Sequence, residues 1–257
     1  MNVTERDQYR TIFHLTWGEI LFMKKVVEKH YEEKSREYRG ALNKALLVFF
    51  EHESPLTILD VGCADGALGA ALKSRGHKVF GIEISRPLAQ SARKRLDAVV
   101  VGNVEELEIP KIWKRKFDAV IFGDVLEHLF HPQRVLDRLQ EQLAPGGFFV
   151  ICVPNIGYLR ARLRFLFDTF SYEPKGIFDD GHIRMFNERI LTEMVHSVEM
   201  RVVEWRSTYQ PVASHLPLVR HFSDHWLYKM SARLERPLRN RFRRMLFPEF
   251  VIKAVKV

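Results

Sequence analysis

Residues 56–83, with the sequence LTILDVGCADGALGAALKSRGHKVFGIE, decide the fold of this chain. The first apolar and β-branched run of this stretch predicts a short strand that reaches the carboxylate Asp60. Gly62 and Gly66 follow, and an alanine-rich helical pattern comes after them. A second apolar run then predicts a strand that ends in Glu83. The order of strand, glycine turn, helix and strand is typical of dinucleotide-binding units.

The parts of this unit indicate what it binds. Glycines allow the backbone to turn sharply and leave room for a ligand to contact it. The helix that follows presents unpaired N–H groups and the positive end of its dipole. Glu83 lies about 20 residues beyond the glycine turn, and an acid at that spacing can accept hydrogen bonds from the hydroxyls of a ribose. We therefore expect an adenosine-containing cofactor.

Two cofactor classes compete for this site. A nicotinamide site favours G-x-G-x-x-G, but this chain has Ala64 and Ala67 in place of the second and third glycines. The pattern present is acid-x-Gly-x-small-x-Gly, from Asp60 to Gly66. It resembles motif I of the class I S-adenosylmethionine (SAM) methyltransferases, in which glycine usually stands at the position of Ala64. The resemblance favours SAM over a nicotinamide.

Apolar runs alternate with helical patterns along the rest of the core. Further strands are predicted at 98–101, 117–122 and 148–153, and helices at 85–96 and 132–143. Strands and helices that alternate at this spacing predict an α/β protein with a doubly wound, parallel sheet.

The resemblance extends over about residues 42–208 and rests on further motifs. These are GNVE at 102–105, FDAVIFGDVLEHL at 117–129 and LAPGGFFVICVPN at 143–155. They resemble a bacterial group of methyltransferases that includes ubiquinone-biosynthesis O-methyltransferases and enzymes associated with glycan or natural-product methylation. The resemblance implies a seven-stranded, Rossmann-like sheet whose last two strands, at 200–208 and 250–256, form an antiparallel pair.

Four parts make up the predicted organisation. Residues 1–53 form an N-terminal helical cap, and residues 54–208 form the SAM-binding core. Within the core, the segment 154–181 is expected to cover the methyl acceptor. A basic helical insertion at 209–248 precedes the last core strand at 249–257.

The resemblance also implies a set of cofactor contacts. Glu83 would hold the ribose hydroxyls, Ile84 would pack on the adenine, and Asn103 would meet the adenine edge. Asp60 would lie at the methionine end and Asp124 near the sulfonium. The full set of expected contacts is Asp60, Gly62, Cys63, Ala64, Gly66, Glu83, Ile84, Asn103, Val104, Gly123 and Asp124.

The best candidates for catalysis are Asp124, Glu127, His128 and His182. If the chain turns helically after the fourth strand, the first three share one face because of their spacing. Histidine is suited to take a hydroxyl proton near neutral pH. As alternatives, Glu127 and His128 buttress the loop, and His182 caps the helix that begins near Asn187.

The order acid-x-x-Glu-His followed by a distant His resembles small-RNA 3′-terminal 2′-O-methyltransferases. Acid-x-x-Glu-His alone resembles ubiquinone O-methyltransferases. In both groups these positions are associated with a divalent metal. The residues Asp124, Glu127, His128 and His182 suit Mg²⁺, Mn²⁺ or Zn²⁺. A metal is therefore an option, but the sequence alone does not favour it.

The expected acceptor is a hydroxyl on a small molecule, such as a sugar, a phenol or a lipid-linked precursor. The segment 154–181 mixes arginines with aromatic residues, which suits an acidic, aromatic or sugar-containing acceptor. Its Leu159, Leu163 and Leu166 stripe has a second interpretation, as the face of a helix that seals the sheet. The alternatives in function are an RNA-terminal 2′-O-methyltransferase and a SAM-binding protein without catalysis.

Composition sets the remaining expectations. The formal net charge is +8, and basic amphipathic helices are predicted at 226–244. These helices suit contact with a membrane surface or another anionic partner, and nucleic acid is the less favoured partner. In the alternative interpretation, their apolar stripe packs on the domain or on a second subunit. Neither a membrane span nor a signal peptide is predicted, and two core cysteines suggest no disulfide framework. A cytoplasmic location is expected, and the oligomeric state stays open.

Overall fold

The computed structural model describes residues 42–113, 116–207 and 241–257, together with the isolated positions Lys29 and Arg233. Of the predicted N-terminal cap at 1–53, the structure describes only Lys29 and residues 42–53. Of the predicted basic insertion at 209–248, it describes only Arg233 and residues 241–248.

Seven strands form a single sheet, which confirms the predicted Rossmann-like α/β fold. The strands are β1 (Thr57–Val61), β2 (Lys78–Glu83), β3 (Ala98–Val101), β4 (Phe117–Gly123), β5 (Leu143–Pro154), β6 (Met200–Arg206) and β7 (Glu249–Lys256). Their order in the sheet is β3-β2-β1-β4-β5-β7-β6. β7 runs antiparallel to both β5 and β6, whereas the pairs among β1 to β5 are parallel.

Seven α-helices occur among the described residues. They are α1 (Lys44–Leu47), α2 (Ala67–Lys73), α3 (Arg86–Ala92), α4 (Pro132–Gln140), α5 (Leu159–Leu166), α6 (Glu188–His196) and α7 (Arg243–Leu246). Short 3₁₀ helices lie at Val48–Phe50, Lys111–Trp113 and Leu126–His128. The predicted end of α4 at residue 143 is wrong, because Leu143 pairs with Phe117 as the first residue of β5.

Both faces of the sheet are buried. Leu59 and Phe122 belong to one apolar cluster, which includes residues of α4 and α6. Their strand neighbours Ile58 and Ile121 belong to a second cluster, which includes Phe50 and residues of α2 and α3. Burial of each such side chain stabilises the fold by about 1.5–3 kcal/mol. The two-sided core explains why the strands read as nearly continuous apolar runs.

The end of the predicted basic insertion is attached to the core. Arg243 donates two hydrogen bonds to Glu188, at 3.0 and 2.8 Å, and its guanidinium lies 4.7 Å from the centre of the Trp205 ring. Arg244 also forms an ion pair with Glu188, at 3.2 Å. These two arginines therefore have partners within the chain, and the predicted anionic contact depends on the other basic positions of 226–244, of which Arg233 and Arg241 are described and exposed.

Candidate active site

A cavity of about 800 Å³ opens where the strand order reverses, at the carboxyl ends of β1, β2 and β4. Ligands of doubly wound proteins bind at this position of the sheet. All of the predicted catalytic residues line the cavity, and so do all of the predicted cofactor contacts except Gly66. A Cβ at Gly66 would lie 3.1 Å from the Cα of Ala92. Gly66 therefore permits close packing of α2 and α3, and its contact with the cofactor stays a prediction.

The glycine turn after β1 forms the floor of the cavity. Gly62 has a φ of +70°, and a Cβ there would lie 2.6 Å from Cγ2 of Val125. The N–H group of Gly62 donates to the carbonyl of Ile82 at 2.8 Å, which joins the turn to β2. Only glycine suits this position, because a side chain meets both backbone strain and a steric clash.

Glu83 connects the two loops that flank the cofactor position. Its Oε2 accepts a hydrogen bond from the N–H of Ala64 at 2.8 Å, and its Oε1 accepts one from the N–H of Ser85 at 2.8 Å. Burial raises the pKa of Glu83, and these backbone donors oppose the rise. Each carboxylate oxygen retains a second lone pair. Glu83 can therefore accept two more hydrogen bonds, which is what a ribose diol requires.

Asp60, on β1 just before the glycine turn, has an unsatisfied oxygen. The residue is buried, and its Oδ2 has no hydrogen-bond partner in the part of the chain that the structure describes. Burial, and then the nearby charge of Glu83, raise the pKa of Asp60 to about 7. A buried carboxylate without a donor is costly. A cationic group of a ligand, such as the α-ammonium of SAM, would satisfy it.

The predicted adenine contacts lie beside this carboxylate pair. Asn103, Val104 and Ile84 line the cavity. The Oδ1 of Asn103 already accepts a hydrogen bond from the N–H of Glu105 at 2.9 Å. This bond fixes the loop after β3, and the second lone pair of the oxygen stays available to a ligand. Contact between Asn103 and adenine stays a prediction.

The predicted catalytic residues do not share one helical face. Asp124 has a φ of +56°, in the left-handed region, and the 3₁₀ helix begins only at Leu126. The expectation of a continuous helical turn through Asp124 is therefore wrong. Glu127, His128 and His182 do come together, and one ligand atom from each lies within 4.8 Å of the others. We call these three residues the Glu-His-His cluster.

Backbone carbonyls orient both imidazoles of the cluster. Nδ1 of His128 lies 2.9 Å from the carbonyl oxygen of Gly181, and Nδ1 of His182 lies 3.2 Å from that of Ile177. A carbonyl only accepts, so Nδ1 carries the proton in each ring and Nε2 carries the lone pair. His182 does not cap α6, because Asn187 is the N-cap residue of that helix. The side-chain oxygen of Asn187 accepts a hydrogen bond from the N–H of Ile190.

Glu127 is the most deeply buried member of the cluster, at 1% exposed. Burial raises the pKa of its carboxyl group well above the usual range, and the charge of Asp124 adds to the rise. Oε1 of Glu127 lies 3.9 Å from Nε2 of His182. The backbone carbonyl of Glu127 accepts hydrogen bonds from Ile183 and Arg184, which hold the His182 segment against the loop after β4.

Sequence reasoning missed a group of polar residues that surround Asp124. Cys152 donates its S–H to Oδ1 of Asp124 at 3.1 Å, and Nδ2 of Asn43 lies 3.3 Å from the Cys152 sulfur. Asp124 faces the cavity and is withdrawn from bulk water. This loss of solvation raises the pKa of its carboxyl group, and hydrogen bonds from Cys152 and Asn43 oppose the rise. Glu249 and Asp179 also line the cavity. No motif marks these positions, because they lie on distant elements.

The predicted acceptor segment covers the outer half of the cavity. Tyr158 lines it just before α5, Arg164 lines it from α5, and Phe178 lines it from the loop that follows. The guanidinium of Arg164 pairs with Glu173 at 2.6 Å and lies 4.9 Å from the centre of the Phe178 ring. Arg160 also lines the cavity and forms no ion pair within the described part of the chain. This half of the cavity therefore combines aromatic surface with a cation.

The fold, the glycine turn and the acid at the end of β2 define a nucleotide-binding enzyme of the SAM-dependent type. A family model described as a methyltransferase domain matches residues 31–204, which is most of the chain. The chain therefore belongs to this methyltransferase family and is a class I SAM-dependent methyltransferase.

Among the described residues, no helix is both long and apolar enough to cross a membrane.

Two relatives of the same name support this assignment. The ubiquinone biosynthesis O-methyltransferase of Coxiella burnetii (strain Dugway 5J108-111) is 26% identical over 196 residues, which cover 72% of this chain and 82% of the relative. The protein of the same name from Paraburkholderia phytofirmans is 26% identical over 178 residues, which cover 65% of this chain and 74% of the relative.

A solved structure shows the same fold. The Burkholderia thailandensis 1,6-didemethyltoxoflavin-N1-methyltransferase, with bound 1,6-didemethyltoxoflavin and S-adenosylhomocysteine, has a TM-score of 0.60 and 18% identity. The match covers 96% of this chain and 92% of that chain.

Proposed function

We propose that this protein transfers the methyl group of SAM to a hydroxyl of a small molecule, such as a sugar, a phenol or a lipid-linked precursor. The observation that carries the proposal is the Glu-His-His cluster, in which two imidazoles that hydrogen-bond through Nδ1 line the cavity. The Nε2 atom of such an imidazole is a base suited to take the proton of an acceptor hydroxyl. The names of the Coxiella and Paraburkholderia relatives support an oxygen acceptor.

Each part of the chain has a role in this mechanism. SAM supplies a methyl group on a positively charged sulfur, which is reactive without further activation. Glu83 and Asp60 hold the cofactor at its ribose and its ammonium, and α5 with the Phe178 loop excludes water from the acceptor. Positioning of the two reactants then supplies most of the acceleration. Nε2 of His182 or His128 takes the hydroxyl proton, and the nearby carboxylate of Asp124 balances the positive charge that the imidazole gains.

The Glu-His-His cluster also has the donor set of a divalent cation site. In metal sites, a ligating histidine usually donates its other ring N–H to a carbonyl or carboxylate, as His128 and His182 do here. The Oε2 of Glu127 has no hydrogen-bond partner within the described residues. As an alternative to proton transfer by an imidazole, we propose that Glu127, His128 and His182 would hold such an ion, which would lower the pKa of a nearby hydroxyl.

We expect calorimetry to detect Mn²⁺ binding that His128→Ala abolishes. His131→Ala is the matched control, because His131 is exposed and its side chain lies outside the cluster. Absence of Mn²⁺ binding, together with full turnover in EDTA, would contradict the cation site and leave the cluster to proton transfer alone.

SAM affinity is expected to rise with pH, up to about tenfold per unit, between about pH 5 and pH 7. The physical reason is that burial raises the pKa of Asp60 to about 7, so the carboxylate that would pair with the ammonium forms only as pH approaches that value. Fluorescence or calorimetric titration at several pH values measures the slope, and Asp60→Asn should flatten it.

The same pKa predicts the stability of the ligand-free protein. Folded Asp60 binds its proton more tightly than unfolded Asp60, whose pKa is 3.8. The free energy of unfolding should therefore fall as pH rises from about 4 to about 7, and Asp60→Asn should remove that part of the fall. Equal slopes in the wild type and the variant would contradict the role of Asp60.

The test of the proposed function is transfer of isotope-labelled methyl from SAM to small molecules of a cell extract. Mass spectrometry of the products should show a labelled O-methyl group, and His182→Ala should greatly lower its yield. Label found on RNA termini instead, together with salt-dependent RNA binding, would favour the RNA alternative. Label on no molecule, with SAM binding intact, would favour a binding protein without catalysis.

A further inference from the structure

α5 and the loop after it expose a group of large apolar side chains. Within the described residues, the exposed fractions are 41% for Leu163, 50% for Phe165, 74% for Leu166, 69% for Phe167, 36% for Phe170 and 65% for Tyr172. We call these six residues the α5 patch. The second interpretation of the leucine stripe, as a seal on the sheet, is therefore wrong for Leu163 and Leu166, which face outward.

The size of the α5 patch is unusual for a surface of no function. An aromatic side chain presents about 150–250 Å² of surface, so the patch exposes on the order of 600 Å². That area is at the upper end of the largest apolar patches on soluble monomers, about 300–600 Å², and such patches mark interaction sites. Four of its members are aromatic, and Tyr172 carries a hydroxyl, as is common for residues at a membrane interface.

The α5 patch is continuous with the active-site cavity. Phe165 stacks on Phe170, with ring centres 5.1 Å apart, and both rings contact Phe178, at 5.6 and 5.0 Å. Phe178 lines the cavity, as does Ala161 on the inner face of α5. Apolar surface therefore runs from the outside of the protein to the acceptor half of the active site.

Charge around the α5 patch favours an anionic partner. Arg160, Arg162 and Lys175 are exposed beside it. Of the two acids between Leu159 and Lys175, Glu173 is neutralised by Arg164, which leaves Asp168. Exposed leucine and aromatic side chains next to cations are the composition of helices that lie in the interface of an anionic bilayer.

We propose that the α5 patch docks on the surface of an anionic phospholipid bilayer. Leu166, Phe167 and Tyr172 enter the interface, and Arg160 and Arg162 contact lipid phosphates. Docking places the mouth of the cavity at the bilayer surface, where an acceptor with an apolar tail reaches the active site without crossing water. The proposal goes beyond methyl transfer, because docking requires neither SAM nor an acceptor.

Vesicle sedimentation of the full chain tests the proposal. We expect binding to vesicles of phosphatidylcholine and phosphatidylglycerol, weaker binding to phosphatidylcholine alone, and at least tenfold weaker binding for the double variant Leu166→Ser and Phe167→Ser. Arg160→Gln should weaken binding to the anionic vesicles about fivefold, since one cation near such a surface contributes about 1 kcal/mol. Ile112→Ser is the matched control, because Ile112 is 78% exposed and lies outside the patch.

Two outcomes would overturn the proposal. The first is equal sedimentation of the wild type and the double variant, including no binding by either. The second is a wild type that is dimeric by light scattering and a double variant that is monomeric, which would assign the patch to a second copy of the chain. SAM binding by the double variant shows that its fold is intact, and the measurement is independent of methyl transfer.

Discussion

Replacement of Glu83 by alanine should weaken the binding of SAM and of S-adenosylhomocysteine by about 100-fold or more. The change removes both acceptors for the ribose hydroxyls, and a hydrogen bond to a charged group contributes about 1.5–3 kcal/mol. It also leaves the N–H groups of Ala64 and Ser85 without the partners that they have at 2.8 Å. Both loops that flank the cofactor therefore lose their anchor. Calorimetry with each ligand measures the effect.

Two further variants make the Glu83 result specific. Glu108→Ala removes the same charge from an exposed position outside the cavity and should leave affinity unchanged. Glu83→Gln keeps the shape of the side chain but turns one acceptor into a donor, so it should lie between the wild type and alanine. Unchanged affinity in a folded Glu83→Ala protein would show that the ribose is held elsewhere.

Replacement of His182 by alanine should lower the turnover of methyl transfer by about 10²–10⁴-fold, the usual contribution of proton transfer by a positioned side chain. Cofactor affinity should change little, because Glu83 and Asp60 lie at the other end of the cavity. The expected result is therefore the reverse of that for Glu83→Ala, which acts on affinity. Single-turnover kinetics with saturating SAM separate the two effects.

His196→Ala is the control for the His182 variant. His196 is exposed at the end of α6, so its loss should leave turnover unchanged. Full turnover in both His182→Ala and His128→Ala would assign catalysis to positioning alone, and restoration of a lowered turnover by added imidazole would support proton transfer. A large loss of SAM affinity in His182→Ala would instead place His182 at the cofactor.

Local patterns predicted the cofactor half of the site well. The turn at Gly62 and the acid at Glu83 fall within one unit of 28 residues, whose strand, turn and helix obey short-range rules. The same rules do not contain packing between elements. The motif predicts Gly66 as a cofactor contact, and only the structure shows that the closeness of Ala92 also requires a glycine there.

The acceptor half depends on contacts that no local pattern contains. His128 meets Gly181 across 53 positions of the chain, and Asn43 reaches Cys152 across 109. Residue types alone named the histidines, but only the fold brings their imidazoles together with Glu127. It also leaves Asp124 outside that cluster, since its left-handed backbone breaks the helical spacing on which the prediction relied.

The sequence by itself determined the doubly wound sheet, the SAM-type glycine turn and the residues able to move a proton. These features follow from the order of apolar runs, from glycine conformations and from the chemistry of single side chains. Tertiary structure decided which residues share the cavity and which face of α5 is buried. The leucine stripe of α5 has the same helical period whether it faces the core or the solvent, so periodicity alone could not assign it. Its environment depends on the elements that pack beside it.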